Sequence, residues 1–264
     1  MLLSILLINL LFVIARAGVP YLTEQPSYVP PCRIKSPDFV KCSTRSAQKL
    51  FSEISAKGGL PGLDSIPPID PLRVNKIRVT QGGDNALNIK LDLSKVLASG
   101  FGKIKVIESR VSSKDYSWVT KLSVPKMTIV GDYVLKGRIL LIPLNGKGKM
   151  TFQIDNPKIE MHTKTRLYEK GGFTFYNVTD GDCDYTIKKL SVNFENLFNG
   201  NKELEDSTNA FFNQNWQILN DSLKPVLAQT IADIFLGYLQ SIFHAIPANF
   251  FVTDIPTPKE LYGE

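Results

Sequence analysis

The central part of the chain, from Val74 to about Phe194, alternates apolar and polar residues with a period of two. This alternation is typical of β-strands that bury one face and expose the other. Turn-forming residues separate the runs, so we expect mostly antiparallel neighbours. A sheet with one apolar face also needs a second layer to cover it. The turns are expected at Gly82–Asn85, Gly100, Gly131–Asp132, Asn145–Gly146, Asn156–Pro157, Gly171–Gly172 and Asp180–Gly181.

The covering layer is predicted near the end of the chain, where apolar side chains recur at steps of one, three or four. This stripe runs from Phe212 to Ile246, about ten helical turns, and its opposite face is polar. Pro225 lies inside the stripe and has no N–H to donate, so we expect a kink or a break close to Asp221. The length of the helix indicates that the sheet wraps around it.

A shorter helix is predicted before the sheet. Ser36 is a suitable N-cap with Pro37 at the first helical position, and Gly58–Gly59 favours a stop after about Lys57. The proline-rich segment that follows, up to Leu72, cannot be helical and leads the chain to the sheet.

The first residues form a short apolar run, Met1–Ile14, followed by Ala15-Arg16-Ala17. This pattern predicts a signal peptide at 1–17 and therefore a secreted protein with one domain at 18–264. A retained anchor helix is the alternative, but it would need a longer apolar run.

The composition, 43% hydrophobic and 21% charged, is that of an ordinary globular protein. The formal net charge of +6 is spread along the chain, which argues against a nucleic-acid partner. After Ala17 no run approaches 18 unbroken apolar residues, so we expect no stable membrane insertion.

Three cysteines are present in a chain expected to enter an oxidising compartment. Cys32 and Cys42 flank the turn signal Ser36-Pro37, and a short-loop disulfide between them is predicted. Cys183 is then left over, either as a small buried thiol or as one half of a bridge between chains.

The residues give little support for catalysis or metal binding. The two histidines, His162 and His244, have no partner at ligand spacing, and we expect structural roles for both. No nucleophile elbow, zinc-protease motif, phosphate loop or dinucleotide fingerprint occurs. We therefore predict that the protein is not an enzyme.

Two N-glycosylation sequons occur, Asn177-Val178-Thr179 and Asn220-Asp221-Ser222. The first lies in a predicted turn and is the expected site, at Asn177, whereas the second falls inside the predicted long helix.

The chain resembles the takeout and juvenile-hormone-binding proteins of insects over nearly its whole mature length. The motifs that carry this resemblance are the pair Cys32 and Cys42, Gly59–Leu63, Pro67–Leu72, Gly131–Tyr133 with Lys136–Gly137, Gly146–Gly148, Phe211–Trp216 with Leu223–Pro225, and Ile246–Pro247. The chain is nearer to the takeout branch, because the hormone carriers have a second disulfide from the segment around Cys183 to the long helix, which here contains no cysteine.

The resemblance implies an α+β fold in which a strongly curved antiparallel β-sheet wraps around one long kinked C-terminal α-helix, with a short N-terminal helix and an internal apolar tunnel. It implies no cofactor. The expected partner is a small hydrophobic ligand such as a terpenoid or a fatty acyl lipid, and an unidentified receptor is a second candidate partner.

We expect the ligand to lie between the apolar face of the sheet and the long helix. The residues expected to contact it are Tyr133, Leu135, Ile139, Phe152, Phe212, Trp216, Leu219 and Leu223. Each could instead be packed core. The alternative function is that of a secreted glycoprotein with a filled interior that acts by protein–protein interaction.

Overall fold

Strands form the middle of the chain and helices form its two ends. The computed structural model describes residues 21–57, 59–82, 87–139 and 142–263, so the predicted signal peptide lies outside the described residues. The strands are β1 (Leu72–Gln81), β2 (Leu87–Ser99), β3 (Lys105–Val111), β4 (Trp118–Ser123), β5 (Lys126–Ile139), β6 (Ile142–Asp155), β7 (Lys158–Lys170), β8 (Phe173–Thr186) and β9 (Lys189–Phe194). The helices are α1 (Phe39–Lys57), α2 (Lys202–Gln214), α3 (Trp216–Ala245), α4 (Ala248–Phe251) and α5 (Pro258–Tyr262).

The strands form two sheets, one with the order β1-β2-β5-β6-β9 and one with the order β3-β4-β7-β8. Every neighbouring pair of strands is antiparallel. The predicted turns at Asn156–Pro157 and Gly171–Gly172 do connect strands, β6 to β7 and β7 to β8. The α+β class and the antiparallel pairing are therefore confirmed.

Three of the predicted turns were wrong, because their glycines lie inside long strands. Gly131 is in β5, Gly146 in β6 and Gly181 in β8. A Cβ atom on Gly146 would come 2.6 Å from the Tyr133 hydroxyl. Glycine in a strand often marks such a close approach of another segment, and that reason applies here.

The N-terminal helix α1 begins at Phe39, two residues after the predicted start, and ends at Lys57. Ser36 lies before it and accepts a hydrogen bond from the Phe39 N–H through its carbonyl oxygen (3.0 Å). The predicted disulfide between Cys32 and Cys42 is present, with a Cα–Cα distance of 5.8 Å. It ties the segment before α1 to the first turn of the helix.

The predicted C-terminal stripe is divided between α2 and α3, and the break lies at Asn215. Helix α3 continues through Pro225, so the chain has no break close to Asp221, and the alternative of a kink there stays a prediction. Asp221 and Pro225 are both exposed. Water can therefore satisfy the backbone carbonyl that the proline leaves without a donor, which lowers the penalty for proline in the helix.

Side chains of α2 cover the edge strand β9. The Asn213 amide accepts from the Val192 N–H (2.7 Å) and donates to the Val192 carbonyl (2.9 Å). The Asn209 amide makes the same pair of bonds with the backbone of Phe194, both at 2.9 Å. These two amides take the place of a further strand and so protect the sheet edge.

Helices also cover both edges of the four-stranded sheet. On β3, the side-chain oxygen of Gln48 in α1 accepts from the Val106 N–H (2.8 Å). On β8, the side-chain oxygen of Gln240 in α3 accepts from the Val178 N–H (2.6 Å). The positions of α1 and α3 beside this sheet are thus fixed by polar contacts as well as by apolar packing.

The buried side chains form two clusters. The cluster that we name the α2 end lies between the five-stranded sheet and α2, and it includes Tyr133, Leu135, Met150, Phe194 and Phe212. The cluster that we name the α1 end lies between the four-stranded sheet, α1 and the C-terminal half of α3. Its buried members include Leu50, Trp118, Tyr176, Phe243 and Phe251.

Helix α3 is apolar on more than one face. It contains an 18-residue stretch with a mean hydropathy of 1.4, of which only 22% is buried. By length and composition alone this helix could span a membrane, but the core helix of a folded domain passes the same test, and the expectation of no stable membrane insertion stays a prediction.

Candidate functional site

The α1 end contains a cavity between α1, the four-stranded sheet and the C-terminal half of α3. Its volume is about 50 Å³. The residues that line it are Ser43, Ser46, Ala47, Leu50, Phe51, Ser109, Trp118, Thr120, Leu122, Met161, Phe235, Leu239, Ile242, Phe243 and Phe251. Most of this lining is apolar, and no lining residue carries a charge.

Helix α1 contributes small polar residues to the cavity. Ser43, Ser46 and Leu50 follow one another at steps of three and four, so they share one face of the helix. Ser43 donates to the Ser109 hydroxyl on β3, at the long distance of 3.5 Å. The lining residues were not predicted, but a pair of serines within an apolar helical stripe is a signal that could have indicated a polar feature in the core.

Three buried polar groups at the α1 end make no hydrogen bond. Within the described part of the chain they are the only buried side-chain N or O atoms without a partner: Ser46 Oγ, Trp118 Nε1 and the Tyr176 hydroxyl. Ser46 and Trp118 line the cavity. An unpartnered buried polar group costs about 1–3 kcal/mol, so three in one cluster, two of them beside a cavity, require an explanation.

Tyr176 lies directly behind the cavity wall. Its ring packs edge-on against Trp118 (5.5 Å between centroids) and contacts Phe243 (5.0 Å). Burial raises the pKa of its hydroxyl well above the ordinary value of 10.0. The nearby Trp118 indole has the opposite, smaller effect on this pKa, although the two groups do not form a hydrogen bond of good geometry. At neutral pH Tyr176 is therefore an uncharged group that can donate a hydrogen bond.

The predicted ligand residues lie at the α2 end. Tyr133, Leu135, Ile139 and Phe212 are buried there as members of its core. Tyr133 donates to the Glu195 carbonyl (2.8 Å), and burial raises its pKa to about 12. Phe152, Leu219 and Leu223 are partly buried against the same core, and Trp216 is half-buried at the start of α3. Whether this set contacts a ligand stays a prediction.

Partly buried apolar side chains connect the two ends along α3. Ile129 of β5 packs against both clusters. On α3, Leu223 packs against the α2 end, whereas Leu227 and Ile231 pack against the α1 end. We name this row of partly buried side chains, Ile129, Leu223, Leu227 and Ile231, the apolar path.

A second, larger depression of about 610 Å³ lies outside this path. Its lining includes Arg166, Lys170 and His244. Burial and the charge of Lys170 lower the pKa of His244. An apolar ligand in this groove would lie among charged groups and lose little contact with water, so we favour the cavity at the α1 end as the binding site despite its smaller volume.

The predicted glycosylation site does not lie in a turn. Asn177 is inside β8, opposite Arg166 on β7, and its side-chain oxygen accepts from Gln240 (3.0 Å). The register of β7 and β8 shifts just after this point, so the sequon lies beside a bulge rather than at a hairpin tip. Asn220 of the other sequon is in α3, as expected.

Cys183 is a free, half-buried thiol on β8. Burial raises its pKa to about 12, so it stays protonated at neutral pH. His162 contacts Glu160 (3.0 Å) on the exposed face of β7. Among the described residues no group of three His, Cys, Asp or Glu side chains could hold a metal ion.

Comparison with known proteins gives a consistent set of relatives. The chain is 26% identical to the "Circadian clock-controlled protein daywake" of Drosophila melanogaster over 237 residues, which cover 86% of this chain and 87% of that protein. It is 25% identical over 214 residues to a "Putative beta-carotene-binding protein" of Schistocerca gregaria, with coverage of 80% and 82%.

The fold also matches a solved structure. The crystal structure of Takeout 1 from Epiphyas postvittana has a TM-score of 0.72 and 21% sequence identity to this chain, and the match covers 86% of this chain and 100% of that one. The family model "Haemolymph juvenile hormone binding protein (JHBP)" matches residues 7–253. The chain therefore belongs to the haemolymph juvenile hormone binding protein family.

Proposed function

We propose that the protein is a secreted carrier that holds one small hydrophobic molecule inside the fold. The end of the ligand lies in the cavity at the α1 end, and the rest follows the apolar path along α3. The observation that carries this proposal is the cavity, whose wall is mostly apolar and uncharged. Membership of the family and the name of the carotenoid-binding relative support it.

The cavity of about 50 Å³ is smaller than a bound lipid requires. An empty cavity of about 150 Å³ holds one benzene molecule. A ligand must therefore displace side chains, and those along the path are partly buried rather than tightly enclosed. Phe152, Leu219 and Leu223 are the predicted ligand residues that fit this path best.

The expected affinity follows from the area that the ligand buries. A ligand burying about 400 Å² of apolar surface gains roughly 10 kcal/mol. Association and side-chain ordering cost several kcal/mol, which leaves an affinity near micromolar. Such an affinity suits a carrier that must also release its ligand.

Secretion and glycosylation at Asn177 are parts of the same proposal. The disulfide between Cys32 and Cys42 is a feature of proteins that fold in oxidising compartments, and the family is described as a haemolymph family. When the full chain is expressed in insect cells, we expect the protein in the culture medium. Mass spectrometry before and after glycosidase treatment should show cleavage after Ala17 and a glycan on Asn177.

Two measurements test the carrier function directly. Solvent extraction of the purified protein should release a co-purified lipid, and the extracted protein should bind an apolar fluorescent dye that hydrophobic competitors displace. If no lipid is released and no dye binds, the carrier function fails, and the alternative of a secreted glycoprotein that acts through a protein partner is then favoured.

A cavity-filling variant tests the location of the site. Ala47→Leu adds volume to the cavity wall, and overpacking of 1–3 kcal/mol should weaken dye binding roughly tenfold. Val40→Leu on the same helix is the control, because Val40 is 45% exposed. Equal dye binding by both variants would place the ligand elsewhere.

A further inference from the structure

The outer face of the five-stranded sheet carries a concentration of positive charge. Side chains of β2, β5 and β6 alternate between the buried core of the α2 end and this outer face. Four exposed cations lie on the outer face of these three adjacent strands: Lys90 of β2, Lys136 and Arg138 of β5, and Lys147 of β6. We name these four side chains the basic face.

The strand register brings the four cations close together. Lys136 is the direct partner of Lys90 on the neighbouring strand, and Arg138 lies two residues further along β5 on the same face. Lys147 is the partner of Val134, two residues before Lys136. With a strand spacing of about 4.8 Å and a rise of about 3.4 Å per residue, the four charges fall within an area of roughly 10 Å by 14 Å.

Few carboxylates balance this charge. The nearest outer-face carboxylate, Asp92, is paired with Arg78 of β1 (2.6 Å). Across the described part of the chain, the four cations of the basic face form no ion pair of their own. With Arg78 and Asp92 included, this area has five cations and one carboxylate, which is four of the six positive charges in the formal net charge of the whole chain. Charge that is spread along the sequence is thus gathered on one face by the fold.

One pair on this face lowers the stability of the sheet. Lys90 and Lys136 lie directly opposite each other, and like charges in this arrangement repel. An exposed strand position accepts any polar residue at little cost, so a repulsive pair indicates that the charge itself has a use. A partner surface of negative charge would turn this repulsion into attraction.

Apolar side chains lie among the cations and narrow the choice of partner. On the same face of β5, Val134 is partly exposed and Val130 is 37% exposed. A sulfated glycan would match the cations but would gain nothing from apolar side chains. The interface of a lipid bilayer accepts both, because anionic headgroups attract lysine and arginine while apolar side chains enter the headgroup region.

We propose that the basic face docks the protein on a membrane surface that contains anionic lipids. The contact is peripheral and needs no membrane-spanning segment. It goes beyond the proposed carrier function, because docking requires no ligand in the cavity. It would give a carrier a place at which to collect or release an apolar ligand.

The test is cosedimentation of the full-length secreted protein with vesicles of phosphatidylcholine and phosphatidylserine, two parts to one, and with vesicles of phosphatidylcholine alone. The main variant replaces all four cations of the basic face by glutamine. Each cation near an anionic surface is worth roughly fivefold in affinity, so this variant should bind the anionic vesicles roughly 100-fold more weakly or worse. We expect no binding to phosphatidylcholine alone. Failure of the wild-type protein to bind the anionic vesicles would overturn the inference.

The matched control removes the same number of positive charges elsewhere. It replaces four exposed cations of α1, the β3–β4 connection and α5 by glutamine, namely Lys41, Arg45, Lys114 and Lys259. Vesicle binding by this variant should fall less than about threefold. Equal losses in the two variants would show that the net charge matters and the basic face does not.

The single variant Lys136→Glu separates binding from folding. It replaces the repulsion with Lys90 by an attraction, so the melting temperature should stay unchanged or rise. Its affinity for the anionic vesicles should nevertheless fall. Unchanged vesicle binding by this variant would contradict the inference.

Salt and a competing polyanion complete the test. When NaCl rises from about 0.1 M to about 1 M, the Debye length falls from about 10 Å to about 3 Å, and the vesicles should release the protein. Binding that survives high salt, or tight binding to heparin without binding to vesicles, would overturn membrane docking by the basic face. The carrier function would stand in either case, because lipid extraction and dye displacement involve no vesicle.

Discussion

The two ends of the molecule differ in how completely their buried polar side chains are paired. At the α2 end, Asn209 and Asn213 complete the edge of β9, and the Tyr133 hydroxyl donates to the Glu195 carbonyl. At the α1 end, the Ser46 and Trp118 side chains lie beside a cavity without partners. The first arrangement favours stability and the second leaves hydrogen-bonding capacity for a ligand.

This difference indicates that stability and ligand binding depend on different ends of the molecule. A buried hydrogen bond contributes about 1 kcal/mol, whereas a buried donor without a partner costs about 1–3 kcal/mol. Binding sites are drawn from the less stable parts of a protein. We therefore expect substitutions at the α2 end to affect mainly unfolding, and those at the α1 end to affect mainly ligand binding.

The largest effect is expected from Phe212→Ala at the α2 end. Phe212 is 6% exposed, and its ring lies 5.9 Å from that of Phe194. Loss of the buried ring should lower the free energy of unfolding by about 3–5 kcal/mol, as measured by urea denaturation. Ile218→Ala is the control, with an expected change below about 0.5 kcal/mol because Ile218 is 67% exposed. A loss below about 1 kcal/mol for Phe212→Ala would mean that the α2 end is not a filled core.

The next effect is expected from Asn209→Ala. This change leaves the Phe194 N–H and carbonyl without their partners in a buried place. The free energy of unfolding should fall by about 2–3 kcal/mol. Asn193→Ala, at an exposed position of β9, should change it little. Equal stabilities of the two variants would show that the amide does not protect the strand edge.

The sequence predicts part of this comparison. Period-two alternation indicated the strands, and helical spacing indicated α1 and the C-terminal stripe, because both depend only on neighbouring residues. The role of Asn213 in the Phe211–Trp216 motif could not be predicted in the same way. Its partner Val192 is 21 residues away, and their contact depends on how α2 docks against β9.

The candidate site was still less predictable. The expected ligand residues are strongly apolar positions, such as Tyr133 and Phe212, and in the fold these two are buried in the core of the α2 end. The cavity instead lies beside Ser46 and Trp118, and a gap in packing leaves no periodic signal in the sequence. Only the serines inside the apolar stripe of α1 marked its position.

A pH effect should distinguish the two ends further. The Glu205 carboxylate at the α2 end is buried and accepts from the Leu197 N–H (3.2 Å), and its hydrogen bond with Lys202 holds its pKa below the ordinary value of 4.5. A lowered pKa in the folded state contributes stability above about pH 4.5, and this contribution is lost as the pH falls through the folded-state value.

The urea midpoint of the wild-type protein should therefore fall more between pH 6 and pH 3 than that of Glu205→Gln. The amide variant keeps an acceptor for the Leu197 N–H but has no charge to lose. If the urea midpoints of the two proteins fall by the same amount, the Glu205 carboxylate does not contribute to the loss of stability in acid.

The smallest effect is expected from a pair of substitutions on α1. The Thr44 hydroxyl accepts from the Ser109 N–H (2.9 Å), whereas the Ser46 hydroxyl, two residues away, has no partner. In the lipid-extracted protein, Thr44→Ala should lower the free energy of unfolding by about 1 kcal/mol. Ser46→Ala should leave it unchanged or raise it by a few tenths of a kcal/mol, because alanine also has the higher helix propensity. A loss for Ser46→Ala as large as that for Thr44→Ala would show that this hydroxyl already has a structural partner, and the two ends would then no longer differ in kind.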